Sequence, residues 1–449
     1  MSESLALFLI ALLPFHAFFV TVGTRLLLGQ GHAPLPILAT WKEVVLGVVI
    51  ALSVIEIVRK LSTFNFQFST DILDWLVLGL VGLGLMIPSS NFVFGFKYTL
   101  FPLCLFLILR RVSWSEEFVQ RVWKVILVVG GVIAGYGIFT FFLPLEFFTW
   151  LGYSDLHSLY LPDGPLAAFQ QIGGTSIRRI QSTMSGPNQF GVWLLIPWSI
   201  AVQRVMNFVV RRAHHDTFPY MLLTLVSIAL FLTFSRAAWI GAIGILVVAV
   251  WRYLSWKRRT ILFFVSCTLL VLFGLIAQDV LLRAASTRGH LEKPLAAIQT
   301  IIAHPFGLGL GAAGPASNRV SDACVYLESG ADASWAKDRQ NLCVFSGDTQ
   351  VQPTNRLCNC SFLPEDWYLQ IGVELGVIGF ILFLTLVILI ILRTQEQVRL
   401  MFLGISIAAL FLHAWEDSAT TYTAWMLLIS ALPSFYVATA AVPAGARVR

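Results

Sequence analysis

Six cations stand where a hydrophobic sequence has little routine use for them: Arg25, Lys42, Lys97, Arg178, Arg179 and Arg236. Arg25 and Lys42 fit interfacial anchors, whose stems lie along apolar surface while the charge reaches the headgroups. Lys97 differs, because it falls inside the largely apolar run 92–109, where a charge is costly and usually functional. Arg236 occupies a break between two apolar runs that is too tight to need a charge for solubility. Arg178 and Arg179 precede the Gly186-Pro187 step into another run. Several cations meeting at one membrane surface suit a bound anion, most simply a phosphate or diphosphate. Arginine grips such a group bidentately and cannot lose its proton. The complementary chemistry is a base for a hydroxyl. Glu365 and Asp366 head the apolar run 366–392, where partial burial can raise a carboxylate toward neutrality. The same pair would also cap a helix start, where the dipole favours acids. Glu416 and Asp417 are a reserve for the base, and His304 either lines such a site or caps a loop.

A membrane must position these groups. The chain has 449 residues, 57% hydrophobic and only 12% charged, with a mean hydropathy of +0.79. Soluble domains carry about 25% charged residues, so that class is excluded. Twelve runs are long enough for spanning helices: 5–24, 43–58, 72–88, 93–110, 123–143, 187–205, 219–234, 237–254, 260–280, 366–392, 398–414 and 420–440. The first lacks a basic start and a small-residue cleavage site, so it is kept as a helix and not a signal peptide. The predicted fold is an all-α polytopic membrane protein of about twelve transmembrane helices. Nine lie in 1–280 and three in 366–449, on either side of one long polar loop, 281–365. Residues 291–303 are predicted as a surface helix and Gly307-Leu308-Gly309-Leu310-Gly311 as a tight loop. Asp366, Gln370 and Glu374 would share one helical face, while Gly372 and Gly376 would let helices approach closely.

The pI of about 9.1 does not point to nucleic acid, because no basic run is interleaved with aromatics. Most cations border apolar runs instead, as orientation signals do. With the N-terminus inside, 17 of the 30 basic residues fall in short cytoplasmic segments, including Arg59, Arg110, Arg111, Arg393 and Arg399. Seven more lie in 281–365, and long loops cross largely regardless of charge. Both termini are therefore expected inside and the long loop outside. Four of the six cysteines, Cys324, Cys343, Cys358 and Cys360, lie in that loop, where an oxidising compartment permits disulfides. Cys358 and Cys360 are too close to pair comfortably with each other, so each should reach back to Cys324 or Cys343. A zinc site is the rival, though no Cys-x-x-Cys pair is present. Cys104 and Cys267 lie in apolar runs as small core residues.

Three blocks, in order, resemble the O-antigen ligase and polymerase family of bacterial cell-envelope assembly. The first is Arg179 to Gly191, with Gly186-Pro187-Asn188 inside it; the second is Thr233-Phe234-Ser235-Arg236 between adjacent helices. The third runs from His304-Pro305-Phe306-Gly307 to Asp366-Trp367-Tyr368-Leu369 and on to Phe380. The resemblance covers roughly 170–395. It implies a metal-independent, inverting glycosyltransferase of the cytoplasmic (inner) membrane that uses no cofactor. Its donor would be a polyprenyl diphosphate-linked glycan, and its acceptor a hydroxyl of a glycan, glycolipid or protein on the outer side. On that reading Arg236, Arg178, Arg179 and Lys97 engage the diphosphate, and His304 and Tyr368 line the substrate. The chain lacks any Asp-x-Asp to hold a metal on the sugar diphosphate, so arginines would carry the charge stabilisation. Ligases of this type carry His-Asn where this chain has Glu365 and Asp366, which become the expected base. The alternatives are a polysaccharide polymerase of the same family and a twelve-helix polysaccharide or lipid transporter. A transporter would have related six-helix halves and helices broken at the midplane.

Overall fold

The structure, a computed structural model, describes residues 2–62, 70–154, 164–167, 170–172, 177–211, 217–251, 255, 284–327, 332, 334–336, 342–347 and 349–431. Helix lies on every predicted apolar run except 260–280, which with Cys267 falls outside the described residues. α1 (Ser2–Leu12) and α2 (His16–Leu28) join through a 3-10 turn at Pro14 into one apolar element of 27 residues. A short α3 (Pro36–Ala39) leads into α4 (Trp41–Ser62) and then α5 (Ile72–Met86). The run 92–109 is irregular. α6 (Phe92–Gly95) passes through a π-helical turn, Phe96–Leu100, into α7 (Phe101–Leu109), whose Pro102 has no amide hydrogen to continue a regular ladder.

Next come α8 (Glu116–Phe141), α9 (Leu145–Trp150), α10 (Pro187–Arg211), α11 (Phe218–Leu232) and α12 (Arg236–Trp251). α13 (Ala284–Ala303) is the predicted surface helix. It exposes an apolar stripe, Leu291, Leu295, Ile298 and Ile302, of the kind that lies on a bilayer surface. α14 (Trp367–Arg393), α15 (Glu396–Ala408) and α16 (Ser418–Ala431) close the described chain. Among the described residues, 2–28, 92–109, 116–141 and 367–393 are long and apolar enough to cross a membrane. Large apolar side chains such as Val128, Val132 and Phe139 face outward along α8. In water such a face costs about 25 cal/mol per Å², a penalty that lipid removes.

α10 runs through the core, with Phe190, Trp193, Leu194, Leu195 and Ile196 fully buried. It packs on α8, α11, α12 and α15. Small residues set the closest approaches: a Cβ on Gly130 would lie 2.6 Å from Pro197, and one on Gly241 2.6 Å from the Gly404 carbonyl. One orientation signal has a second duty. Arg110 is buried, and donates to Asp71 at 3.1 Å and Asp74 at 2.9 Å, the pair that caps α5. Glu3 accepts from Ser115, which caps α8, so the first residues lie beside the 110–116 turn.

The polar segments correct the all-α expectation. β1 (Gln170–Gln171) and β2 (Arg178–Arg179) pair antiparallel ahead of α10. In the long loop, β3 (Ala323–Leu327) pairs parallel with β4 (Leu342–Ser346), and β4 antiparallel with β5 (Thr349–Gln352). Val325, Ala336, Leu342 and Val344 make a small core of their own. Cys324 and Cys343 are register partners on adjacent strands, yet each pairs across the loop: Cys324 with Cys360 and Cys343 with Cys358. The physical reason is size. A segment this polar cannot hold its strands by apolar burial alone, and cross-links constrain its unfolded state instead. Mass mapping should recover these two pairings. Replacing Cys343 and Cys358 with Ser should cost about 3 kcal/mol of loop stability, because it opens a loop of 15 residues. All four thiols free in protein from an oxidising compartment would refute the assignment.

Candidate functional site

The site begins with a helix that starts well and then breaks. Asp366 is the N-cap of α14, its Oδ1 accepting from the Leu369 amide at 2.9 Å. Ten residues on, Gly376 leaves helical geometry (φ 71°, ψ −172°), freeing backbone groups. The segment 304–311 takes them up. Leu308 donates to the Val373 carbonyl (2.8 Å), Gly309 to the Glu374 carbonyl (2.9 Å), and Val377 back to the Pro305 carbonyl (2.9 Å). Gly307, Gly309 and Gly311 all take positive φ, and a Cβ on Gly307 would sit 2.4 Å from the Glu374 carbonyl. The glycine loop is tight, as predicted, but it is inserted between helices. Ser89 donates to the Leu310 carbonyl and Asn91 to that of Gly311. Gly372 keeps its expected role, packing against Ile301 of α13, whereas Gly376 breaks the helix instead of packing it.

Glu374, fully buried at this break, accepts from the Gly311 amide at 2.8 Å and from Thr99 at 3.0 Å. One turn earlier Gln370, also fully buried, donates its amide Nε2 to Glu416 and faces His413 Nδ1 with Oε1 at 2.5 Å. Burial, together with the neighbouring Glu374, raises the Glu416 carboxyl well above the ordinary range. Of the predicted shared face of Asp366, Gln370 and Glu374, the last two are thus the spine of a polar network that reaches the π-helical turn before α7 and the 413–417 turn.

The first two sequence blocks meet directly. Arg179, buried, donates through Nε to the Thr233 carbonyl (2.9 Å) and through Nη2 to Asn188 (2.7 Å). The Ile180 amide donates to the Leu232 carbonyl at 3.1 Å. Arg236, half-buried, opens α12 immediately after this turn, and Ser235 Oγ is buried there with no hydrogen-bond partner among the described residues. On its other side the segment docks on the α1–α2 junction, with Thr183 Oγ1 donating to the Pro14 carbonyl and Phe18 donating to that of Thr183.

Arg178 points elsewhere, donating to the Thr140 and Leu143 carbonyls at the end of α8 and lying over Phe148. Arg25 lies over the Trp150 ring, 5.0 Å from its centroid. Lys97 joins a different cluster: it reaches Glu43 at 2.7 Å, and Lys42 lies 3.4 Å from the same oxygen and donates to His16 Nε2 at 2.8 Å.

Glu365 adopts a positive φ and accepts from Lys293 of α13 at 2.7 Å. Burial lifts Asp366 to about 6, against the amides of Leu369 and Tyr368 that hold its charged form. Its folded value exceeds the unfolded one, so this group's contribution to stability is present below the ordinary aspartate range and is lost as pH rises through about 6. Asp366→Asn, which keeps a cap, should therefore gain in Tm relative to the parent as pH rises from 4 to 8. Asp366→Ala should lose about 1 kcal/mol with its cap. A pH-independent difference for the Asn variant would contradict the buried charge. Tyr368 is buried, its hydroxyl donating to the Ser406 carbonyl at 3.0 Å. His304 is exposed and closes the turn after α13, accepting from the Gly307 amide at 2.9 Å. Asp322, Cys343 and Cys358 gather ligand-type atoms, but the two sulfurs are spent on their disulfide.

No known family model matches the chain, and neither does any curated protein. The residues that sequence reasoning missed are His413, Glu43 and His16. His413 carried a weak signal in its closeness to Glu416 and Asp417. Nothing in spacing links residues 16, 43 and 97.

Proposed function

We propose that this chain is a glycosyltransferase of the cytoplasmic membrane. It moves a glycan from a polyprenyl diphosphate carrier to an acceptor hydroxyl on the outer side, in the manner of O-antigen ligases. About twelve spans would set both termini inside and 281–365 outside. The observation that carries this reading is the joining of Arg179 to the turn that presents Arg236. An arginine of β2 locked onto the turn that presents a second arginine gives a preorganised cationic patch for the charge that develops on a leaving diphosphate. The hydroxyl attacks the anomeric carbon from the side opposite that group, inverting the centre. Lys97, neutralised by Glu43, contributes at longer range, and Arg178 braces the end of α8 behind Arg179.

One observation favours a transporter: the break in α14. Its freed groups, however, are taken up by the 305–309 backbone, not left for an ion or solute. The test is reconstitution in liposomes with labelled polyprenyl diphosphate-linked glycan from the producing cells and their acceptor fraction. Transfer to the acceptor with release of carrier diphosphate supports the enzyme. Intact carrier moved across the bilayer would sink that reading in favour of a transporter.

A further inference from the structure

α14 changes its surroundings at the break. From Trp367 to Gly376 no residue is exposed, whereas Val377, Ile378 and Ile381 directly beyond it are exposed and apolar. On a helix long and apolar enough to span a membrane, such a row faces lipid. The residues before the break are enclosed by protein instead. Val373 packs with Ala297 of α13 and with Ala313, and a Cβ on Gly372 would meet Ile301 of α13 at 2.6 Å. The exposed apolar surface then turns a corner. Gly376 lies against Pro305 and Phe306, and Phe306 is 76% exposed. Behind it come Ile302, Ile298, Leu295 and Leu291, all exposed and spaced as one face of α13.

Three elements give this corner the same height. Val377 to Arg393 is 17 residues, and α5, which leads to the Pro88 carbonyl beside Gly309, has 15. The run 92–109, whose Gly95 packs on Leu310 and Gly311, has 18. At about 1.5 Å per residue these come to roughly 22–27 Å of helix, close to the ~30 Å of a hydrocarbon core. Their far ends carry Arg393 and the set of Asp71, Asp74 and Arg110. One bilayer thickness thus separates those charges from the glycine loop. α13 meets α14 at the level of that loop, buried on one side through Ala297 and apolar on the other. A helix so divided lies in the plane of the headgroup–acyl boundary. Its flanking Lys293 stays with Glu365 at 2.7 Å.

We propose that α13 lies flat in the leaflet on the side of the long loop, with Leu291, Leu295, Ile298 and Ile302 among its acyl chains. The break in α14 then marks the lipid boundary. Continuity decides the occupant. The stripe runs over Phe306 into a row that faces lipid, so the same acyl chains cover both. Gln370 and Glu374 precede the break and therefore stand on the long-loop side of that boundary. α13 runs directly into the 304–311 segment, so its seat in lipid sets the height of the loop that fills the break. This seat is the same whether the chain transfers a glycan or moves a solute.

The test is spin-label depth in phosphatidylcholine liposomes, with the full chain carrying Cys104→Ser and Cys267→Ser. A nitroxide is attached singly to Ile298→Cys, Ile302→Cys, Ile378→Cys and, as the aqueous control, Thr349→Cys of β5. All four positions are exposed, so a label leaves the packing intact. Collisions with oxygen, which concentrates in lipid, are compared with those of a water-soluble nickel chelate. Labels at 298, 302 and 378 should favour oxygen and report depths of about 5–10 Å into the headgroup–acyl boundary. The label at 349 should favour nickel. Labels at 298 and 302 as open to nickel as the one at 349 would put the stripe in water and overturn the seat. Spectral broadening at 298 and 302 that dilution with unlabelled protein relieves would show a second copy covering the stripe, and would overturn it too. A label at 378 near the bilayer midplane, about 15 Å deep, would show that the break is not the lipid boundary.

Discussion

Arg236→Ala should reduce glycan transfer by about a hundred- to thousandfold, the usual cost of removing one preorganised charge-stabilising group from a developing anion. The variant should still insert and fold, because Arg236 starts a helix whose neighbours are placed by other contacts. Arg179 keeps its bonds to Thr233 and Asn188, and Gly241 keeps its crossing with Gly404. Arg236→Lys should recover little, since an ammonium cannot match two phosphate oxygens with a planar fork. Arg25→Ala is the control. That residue lies over Trp150, so its loss should cost about 0.5–1 kcal/mol of stability and leave turnover near wild type. Ordinary turnover by Arg236→Ala, with Arg25→Ala equally active, would remove the central piece of the mechanism.

Gly376→Ala should be strongly destabilising. At φ 71° and ψ −172° the backbone occupies a region open essentially to glycine, and an added Cβ would lie 2.3 Å from the Pro305 carbonyl. Relief requires the 304–311 segment to back away, which gives up the bonds from Leu308, Gly309 and Val377. Strain and lost hydrogen bonds together should cost on the order of 3–6 kcal/mol. That is a large share of a typical folding free energy of about 5–15 kcal/mol. Gly372→Ala, four residues away, crowds the end of the flexible Ile301 side chain and touches Phe380 at ordinary contact distance, and Gly82→Ala meets nothing within 4 Å. Both should unfold close to the parent temperature in detergent. If Gly376→Ala did the same, the inserted loop would not be what closes the helix break.

The contrast between Gly372 and Gly376 shows where sequence reading stops. A pair of glycines one turn apart predicts close packing, and Gly372 provides it. Whether the second glycine packs a helix or breaks it depends on what lies beside it. Here that neighbour is a segment some seventy residues earlier in the chain, and no local periodicity records its arrival. The cysteines behave similarly. Their placement in one polar loop made disulfides the expectation, yet the choice of Cys324 with Cys360 and Cys343 with Cys358 followed only from the return of the chain after β5, which lays Cys360 against Asp322 and Cys358 against Gln350. The strands themselves were not anticipated, because each is too short to show an alternating pattern above the noise of a polar segment.

What the sequence determined by itself was the class of molecule and part of its polar set, without His413, Glu43 and His16. Apolar runs of bilayer length and cations at their borders are properties of consecutive residues, so they are legible without a fold. The same holds for the acids at the head of 366–392 and the Gly-Leu repeat. Tertiary structure alone decided the partners. It joined Arg179 to the Thr233 turn, sent Lys97 to Glu43, gave Glu365 to Lys293, and set His413 against Gln370. Each of these contacts links segments from 43 to 72 residues apart. Side-chain charge and hydropathy fix which groups avoid lipid, but many pairings satisfy that demand equally. The helix crossings at small residues, and the break that admits the glycine loop, select one of them.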